Sequence, residues 1–126
     1  MTATMVDFQI LANAGQRLTE FAPGEVIFAE GDKGDTMYVI RSGEVDILIN
    51  GKLMESLSPG DIFGEMALID GSPRVATARA KTACELAPLT EKTFLFLVDE
   101  APYFAITVMR TLANRLRRMD RTAGSI

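Results

Sequence analysis

Residues that favour turns punctuate the first two thirds of the chain at short, nearly regular intervals, and β-prone runs lie between them. The turns fall at Pro23-Gly24, Gly31 to Asp35, Ser42-Gly43, Asn50-Gly51, Pro59-Gly60 and Gly71-Ser72-Pro73. Asn50-Gly51 suits a type I′ hairpin, because both residues tolerate positive φ. Pro59-Gly60 suits a type II turn, with φ fixed at the first central residue and free at the second. The runs between are Val26–Ala29, Thr36–Arg41, Val45–Asn50, Val75–Ala80 and Cys84–Leu89. Short strands at this spacing predict an antiparallel β-roll or jelly roll rather than a parallel sheet. In the third run Val45, Ile47 and Ile49 alternate with polar or outward positions, which predicts a shared inner face.

The ends of the chain carry a helical period instead. Met5 to Leu18 places Val6, Ile10 and Leu11 on one side and contains no proline. Thr90 predicts a helix cap, with Glu91 in the first turn and Phe94, Leu95, Leu97 and Val98 following. Pro102 suits the first turn of a further helix. That helix carries Phe104, Val108, Leu112, Leu116 and Met119 at steps of four, four, four and three. The stripe reads either as core packing or as a dimer seam. The expected fold is mainly β: a β-roll with one N-terminal helix, a short helix between strands and two C-terminal helices. We expect one domain over residues 1–126.

Composition narrows the function. No apolar run is long enough to span a membrane, and Met1 to Asp7 has neither the basic start nor the apolar stretch of a secretory signal. A single cysteine, Cys84, makes no internal disulfide and suits a reducing cytoplasm. The formal net charge of −4 argues against nucleic-acid binding by the chain alone. There is no histidine, which removes Ser-His-Asp and Cys-His catalysis and histidine-rich metal sites. One cysteine also cannot hold an iron–sulfur cluster, and the usual haem ligation is missing. No catalytic residue and no metal ligand emerges.

The candidate chemistry lies in one stretch, Phe63-Gly64-Glu65-Met66-Ala67-Leu68-Ile69-Asp70-Gly71-Ser72-Pro73-Arg74-Val75-Ala76-Thr77. The N–H groups opening a short helix at Glu65 to Ile69 would point toward an anion. Arg74 adds a planar, permanently charged fork that matches two phosphate oxygens. Ala67, Val75 and Ala76 keep the walls thin, so backbone can approach a ligand closely. Glu65 would repel a bare phosphate, but it suits a neighbouring hydroxyl such as a ribose 2′-OH. Taken singly, Arg74 reads as a solvated loop arginine and Glu65 as a carboxylate favoured at a helix start. Together they describe a ribose-phosphate pocket.

This stretch resembles the phosphate-binding cassette of cyclic nucleotide-binding domains, the sensor modules of protein kinase A regulatory subunits, the catabolite activator protein and cyclic nucleotide-gated channels. The pattern is met at Gly64-Glu65, Met66-Ala67-Leu68 and Pro73-Arg74-Val75-Ala76. The resemblance extends to Pro23-Gly24-Glu25, Glu30-Gly31-Asp32, Tyr38-Val39-Ile40, Ser42-Gly43-Glu44-Val45 and Pro59-Gly60-Asp61. It implies that Glu65 accepts from the ribose 2′-OH and that Arg74 pairs with the cyclic phosphate. Gly64 and the backbone N–H groups of Ala67 and Val75 would line the sugar-phosphate. The implied contact set is Phe63, Gly64, Glu65, Met66, Ala67, Arg74, Val75, Ala76 and Thr77. In family members that favour cGMP a threonine often follows the cassette arginine. Here that residue is Val75, so cAMP is the implied ligand and cGMP the alternative.

The same resemblance implies a C-terminal helix that covers the base, transmits the signal and often pairs two protomers. A separate protein effector is then expected, and no residue identifies it. The arginines at 110, 115, 117, 118 and 121 read as a solvated helix face. Two other functions share the outline. One is the receiver part of a transcription regulator resembling the catabolite activator protein, although an end at Ile126 leaves no room for a helix-turn-helix. The other is a cupin-like β-roll enzyme, which the missing histidines disfavour.

Overall fold

A computed structural model describes the backbone of residues 17–123 and the side chains as far as Arg117. Among the described residues eight strands form two antiparallel sheets. They are β1 (Thr19–Phe21), β2 (Val26–Phe28), β3 (Met37–Ser42), β4 (Val45–Ile49), β5 (Lys52–Leu57), β6 (Ile62–Phe63), β7 (Thr77–Ala80) and β8 (Cys84–Leu89). One sheet has the order β1-β8-β3-β6 and the other β2-β7-β4-β5. Three helices join them: α1 (Glu65–Asp70) between β6 and β7, then α2 (Glu91–Glu100) and α3 (Tyr103–Ala123). The predicted helix over Met5–Leu18 lies largely outside the described residues; at its end, Arg17 and Leu18 are not helical.

Three turns share one construction that the sequence spells out. Ala22-Pro23-Gly24-Glu25, Ala29-Glu30-Gly31-Asp32 and Ser58-Pro59-Gly60-Asp61 each close with the fourth N–H donating to the first carbonyl, at 3.0, 3.1 and 3.0 Å. The acidic side chain at the fourth position then accepts from the first residue's N–H, at 2.9, 3.0 and 2.9 Å. At the β4–β5 hairpin Asn50 and Gly51 have φ of 53° and 76°, the double positive that a type I′ turn requires.

The sheet containing β3 and β8 is buried on both faces, and its pleat divides the core in two. Met37 and Val39 of β3, Ala87 and Leu89 of β8 and Ile62 of β6 pack with Leu97, Phe104 and Val108 of the helices. The alternate positions Ile40, Leu86, Cys84 and Phe63 face the second sheet and meet Val45, Leu57, Ala78 and Ala80. Burying each large apolar side chain stabilises the fold by about 1.5–3 kcal/mol. α2 starts as expected, with the Thr90 hydroxyl accepting from the Thr93 N–H at 3.3 Å.

Several expectations need correction. Val45 is buried and Ile47 partly so, but Leu48 is buried and Ile49 exposed. The register between β4 and β5 shifts between Ile47 and Leu48, which breaks the alternation. β7 starts at Thr77, so Val75 and Ala76 precede the strand instead of opening it. The stripe on α3 does not share one fate. Phe104 and Val108 are buried, Leu112 packs at the margin of the core, and Leu116 is 61% exposed. Steps of four residues turn 400°, so each gains 40°, and by Leu116 the stripe has rotated about 120° from Phe104. Met119 lies outside the described side chains.

Candidate functional site

β6 ends at Phe63, and Gly64 turns the chain into α1 at a φ of 77°. This left-handed residue has no Cβ, and one there would stand 2.8 Å from Nη1 of Arg74 and 3.2 Å from the Phe28 ring. α1 buries Glu65 and Ala67, and Gly71 ends it at a φ of 70°. The loop after it is pinned to the turn before β3: the Arg74 N–H donates to the Asp32 carbonyl, and the Gly31 N–H to the Arg74 carbonyl, each at 2.8 Å.

Arg74 is buried, 7% exposed, although a lone loop arginine would be solvated. Its Nη1 donates to the Gly64 carbonyl at 3.0 Å and its Nη2 to the Thr36 carbonyl at 2.8 Å. The guanidinium lies 4.0 Å from the centre of the Phe28 ring. Gly34 leaves the space for it, since a Cβ there would fall 2.5 Å from Nε. Nε itself is buried and has no partner among the described residues. Burial pulls the guanidinium pKa below its ordinary value, while Tyr38, then Asp35, Asp32 and Glu65, push it back up. A buried cation with one unpaired donor suits a nearby anion.

Glu65 is 6% exposed, and its Oε1 accepts from Nη1 of Arg115 at 2.8 Å. Arg115 reaches down from α3. Its Nη2 also donates to the Ile62 carbonyl, and its Nε stands 3.8 Å from Oε2 of Glu55. This overturns its reading as part of a solvated face. Arg110 and Arg117 do behave that way, the first bonded to Tyr103 and the second to Asn114. The side chains of Arg118 and Arg121 lie outside the described residues. The signal was present in the sequence: Arg115 follows Val108 by seven residues and Phe104 by eleven, both within about 20° of the same helix face.

The other expected contact residues divide by exposure. Met66 and Val75 are exposed at 45% and 57%, while Ala76 is buried. Phe63 is buried, its ring stacked on Tyr38 with centroids 5.4 Å apart. The Thr77 hydroxyl is engaged with the Glu30 N–H at 3.1 Å. Phe28, Gly34, Thr36 and Arg115 belong to this constellation and were not anticipated. A cleft of about 210 Å³ lined by Glu55, Ser56, Leu57, Asp61, Thr111, Asn114 and Arg115 has Arg115 but not Arg74 among its walls. Among the described residues no group of acids and cysteine is placed to hold a metal, and no helix is long and apolar enough to cross a membrane.

Two antiparallel four-stranded sheets with flanking helices, and a short helix and a buried arginine inserted between β6 and β7, make this a β-roll domain. The chain belongs to the cyclic nucleotide-binding domain family, whose model matches residues 18–101. A cAMP-dependent protein kinase regulatory subunit of Emericella nidulans is 44% identical over 72 residues, 56% of this chain. The chain covers 18% of that relative's length. The catabolite activator protein of Thermus thermophilus superposes with a TM-score of 0.81 at 30% identity, covering 94% of this chain and 59% of that one. A structure from a cyclic-GMP-dependent signalling pathway of bacterial phytopathogenesis gives a TM-score of 0.76 at 28% identity, with 90% and 97% covered.

Proposed function

We propose that this domain is a non-catalytic receptor for cAMP and that it signals through α3. The observation that carries the reading is the Arg74 guanidinium, buried with its Nε donor unpaired beside the Gly64 turn. A cyclic phosphate supplies an acceptor for that donor and a charge for the cation. Glu65 begins α1 immediately after Gly64, and its Oε1 is taken by Arg115. Its second oxygen is the acceptor for a ribose 2′-OH. The side chain of Val75 offers no hydrogen bond to guanine, which favours adenine.

The pair Glu65–Arg115 gives ligand occupancy a route to the C-terminal helix. A hydroxyl that fixes the carboxylate also fixes the arginine on it, so cAMP orders α3 from Arg115 onward. The test has two parts. Glu65→Ala should weaken cAMP more than 2′-deoxy-cAMP, and equal losses would refute the assigned role. Hydrogen exchange should show α3 more protected with cAMP in the wild type, and unresponsive in Arg115→Ala although that variant still binds. Protection that is the same with and without cAMP in the wild type would sink the coupling.

A second copy of the chain is the proposed partner of α3. Met109 and Leu116 are 55% and 61% exposed, and with Leu112 between them they keep the three-four spacing of a coiled-coil seam. Leu116→Glu should then lower the sedimentation coefficient of the wild type. A wild type that already sediments as a monomer at high concentration contradicts this.

A further inference from the structure

We infer that Phe28 is a positioning residue for the arginine assigned above to the phosphate. The inference rests on that assignment and adds a residue from β2, outside the cassette. A guanidinium on a flexible stem gains affinity for an anion only when its donor edge is already aimed. Here four neighbours set that aim. The Gly64 and Thr36 carbonyls take one donor each, at 3.0 and 2.8 Å. Gly34 leaves room on one side, where a Cβ would collide with Nε at 2.5 Å. The Phe28 ring provides the floor, 4.0 Å from the guanidinium carbon.

The two carbonyls fix the outer nitrogens, but neither stops the plane from tilting about the line that joins them. An aromatic face does, because the cation is attracted to it broadside. The floor is rigid in turn: Phe28 lies 6.2 Å from the Tyr38 ring and 5.9 Å from the Phe63 ring, and those two stack on one another. An aliphatic residue at position 28 would fill the space without holding the plane. With the plane so held, Nε–H is the buried donor without a partner among the described residues.

Two measurements test this, one without any nucleotide. In the wild type the Arg74 Nε–H proton should resonate upfield, shielded by the ring below it, and exchange slowly. Phe28→Leu and Phe28→Met should abolish the shift, and Phe28→Tyr should retain it. In binding, Phe28→Leu should weaken cAMP about tenfold, the size that a desolvated cation–π contact supports. It should also narrow the discrimination between the Sp and Rp phosphorothioates of cAMP, with Phe28→Tyr restoring both. An unshifted Arg74 proton in the wild type overturns the proposal. So does equal loss for both phosphorothioates without rescue by tyrosine, which would mark a merely structural ring. A shifted proton in a wild type that binds neither cAMP nor cGMP would instead sink the phosphate assignment, and the proposal with it.

Discussion

Arg115 and Glu65 form the link that the proposed signalling route requires, and the burial of the two side chains sets its strength. They are 18% and 7% exposed, and the bond between them is 2.8 Å long. A charge-assisted hydrogen bond contributes about 1.5–3 kcal/mol net. Removing one partner of a buried pair costs about 3–5 kcal/mol, because the other charge stays buried. Arg115 is reached by water, so Arg115→Met should fall below that range, at about 2 kcal/mol. Glu65→Gln keeps an acceptor for the arginine and should cost about 1 kcal/mol. The double variant should cost less than the sum, with a coupling of about 1.5 kcal/mol. Urea unfolding followed by circular dichroism measures each loss; at an m-value near 2 kcal/mol/M, 2 kcal/mol moves the midpoint by about 1 M. Losses that add to within about 0.5 kcal/mol would refute the pair, since that is the behaviour of independent sites.

Other outcomes follow from the same geometry. Arg74→Ala should weaken cAMP at least tenfold, because charge-assisted bonds contribute on the order of 1.5–3 kcal/mol each and 1.4 kcal/mol is a factor of ten; competition binding measures it. Val75→Thr should raise cGMP affinity with cAMP nearly unchanged, and a wild type that prefers cGMP would contradict the base assignment. Burial raises the Cys84 thiol pKa, with backbone hydrogen bonds at Glu44 and Thr82 opposing the rise. The unfolded thiol therefore ionises first, near its ordinary value of about 8.5, so stability that is full below that pH is lost as pH rises from there through the higher folded value. Cys84→Ala should flatten that fall, and native Cys84 should alkylate far more slowly than the urea-unfolded chain. Gly43→Ala should be among the most destabilising single changes, since its Cβ would stand 2.2 Å from the Ala83 carbonyl at a φ of 85°; thermal melting reads it.

What was legible in the sequence was what local chemistry writes. Asn50-Gly51, the three Gly-acid turns and the Thr90 cap each name their own backbone conformation, and β8 was expected over Cys84–Leu89, where it lies. β5 was missed because Lys52-Leu53-Met54-Glu55-Ser56-Leu57 is an edge strand, largely exposed, whose pairing rather than its pattern makes it extended. β1 and β6, with three and two residues, are too short to carry a period. At the site, Glu65 and Arg74 stood out through spacing within one segment. Phe28, Gly34, Thr36 and Arg115 come from other segments, so only the folded chain brings them together. Arg115 was misread by its charge: a helix face that begins with Phe104 and Val108 continues through it toward the buried Glu65 carboxylate.

The most direct measurement is a calorimetric titration of the wild-type domain with cAMP and with cGMP, repeated on Arg74→Ala. We predict one site per chain, cAMP tighter than cGMP, and at least a tenfold loss when the arginine is removed. No heat with either nucleotide, or an affinity unchanged in Arg74→Ala, would contradict the account.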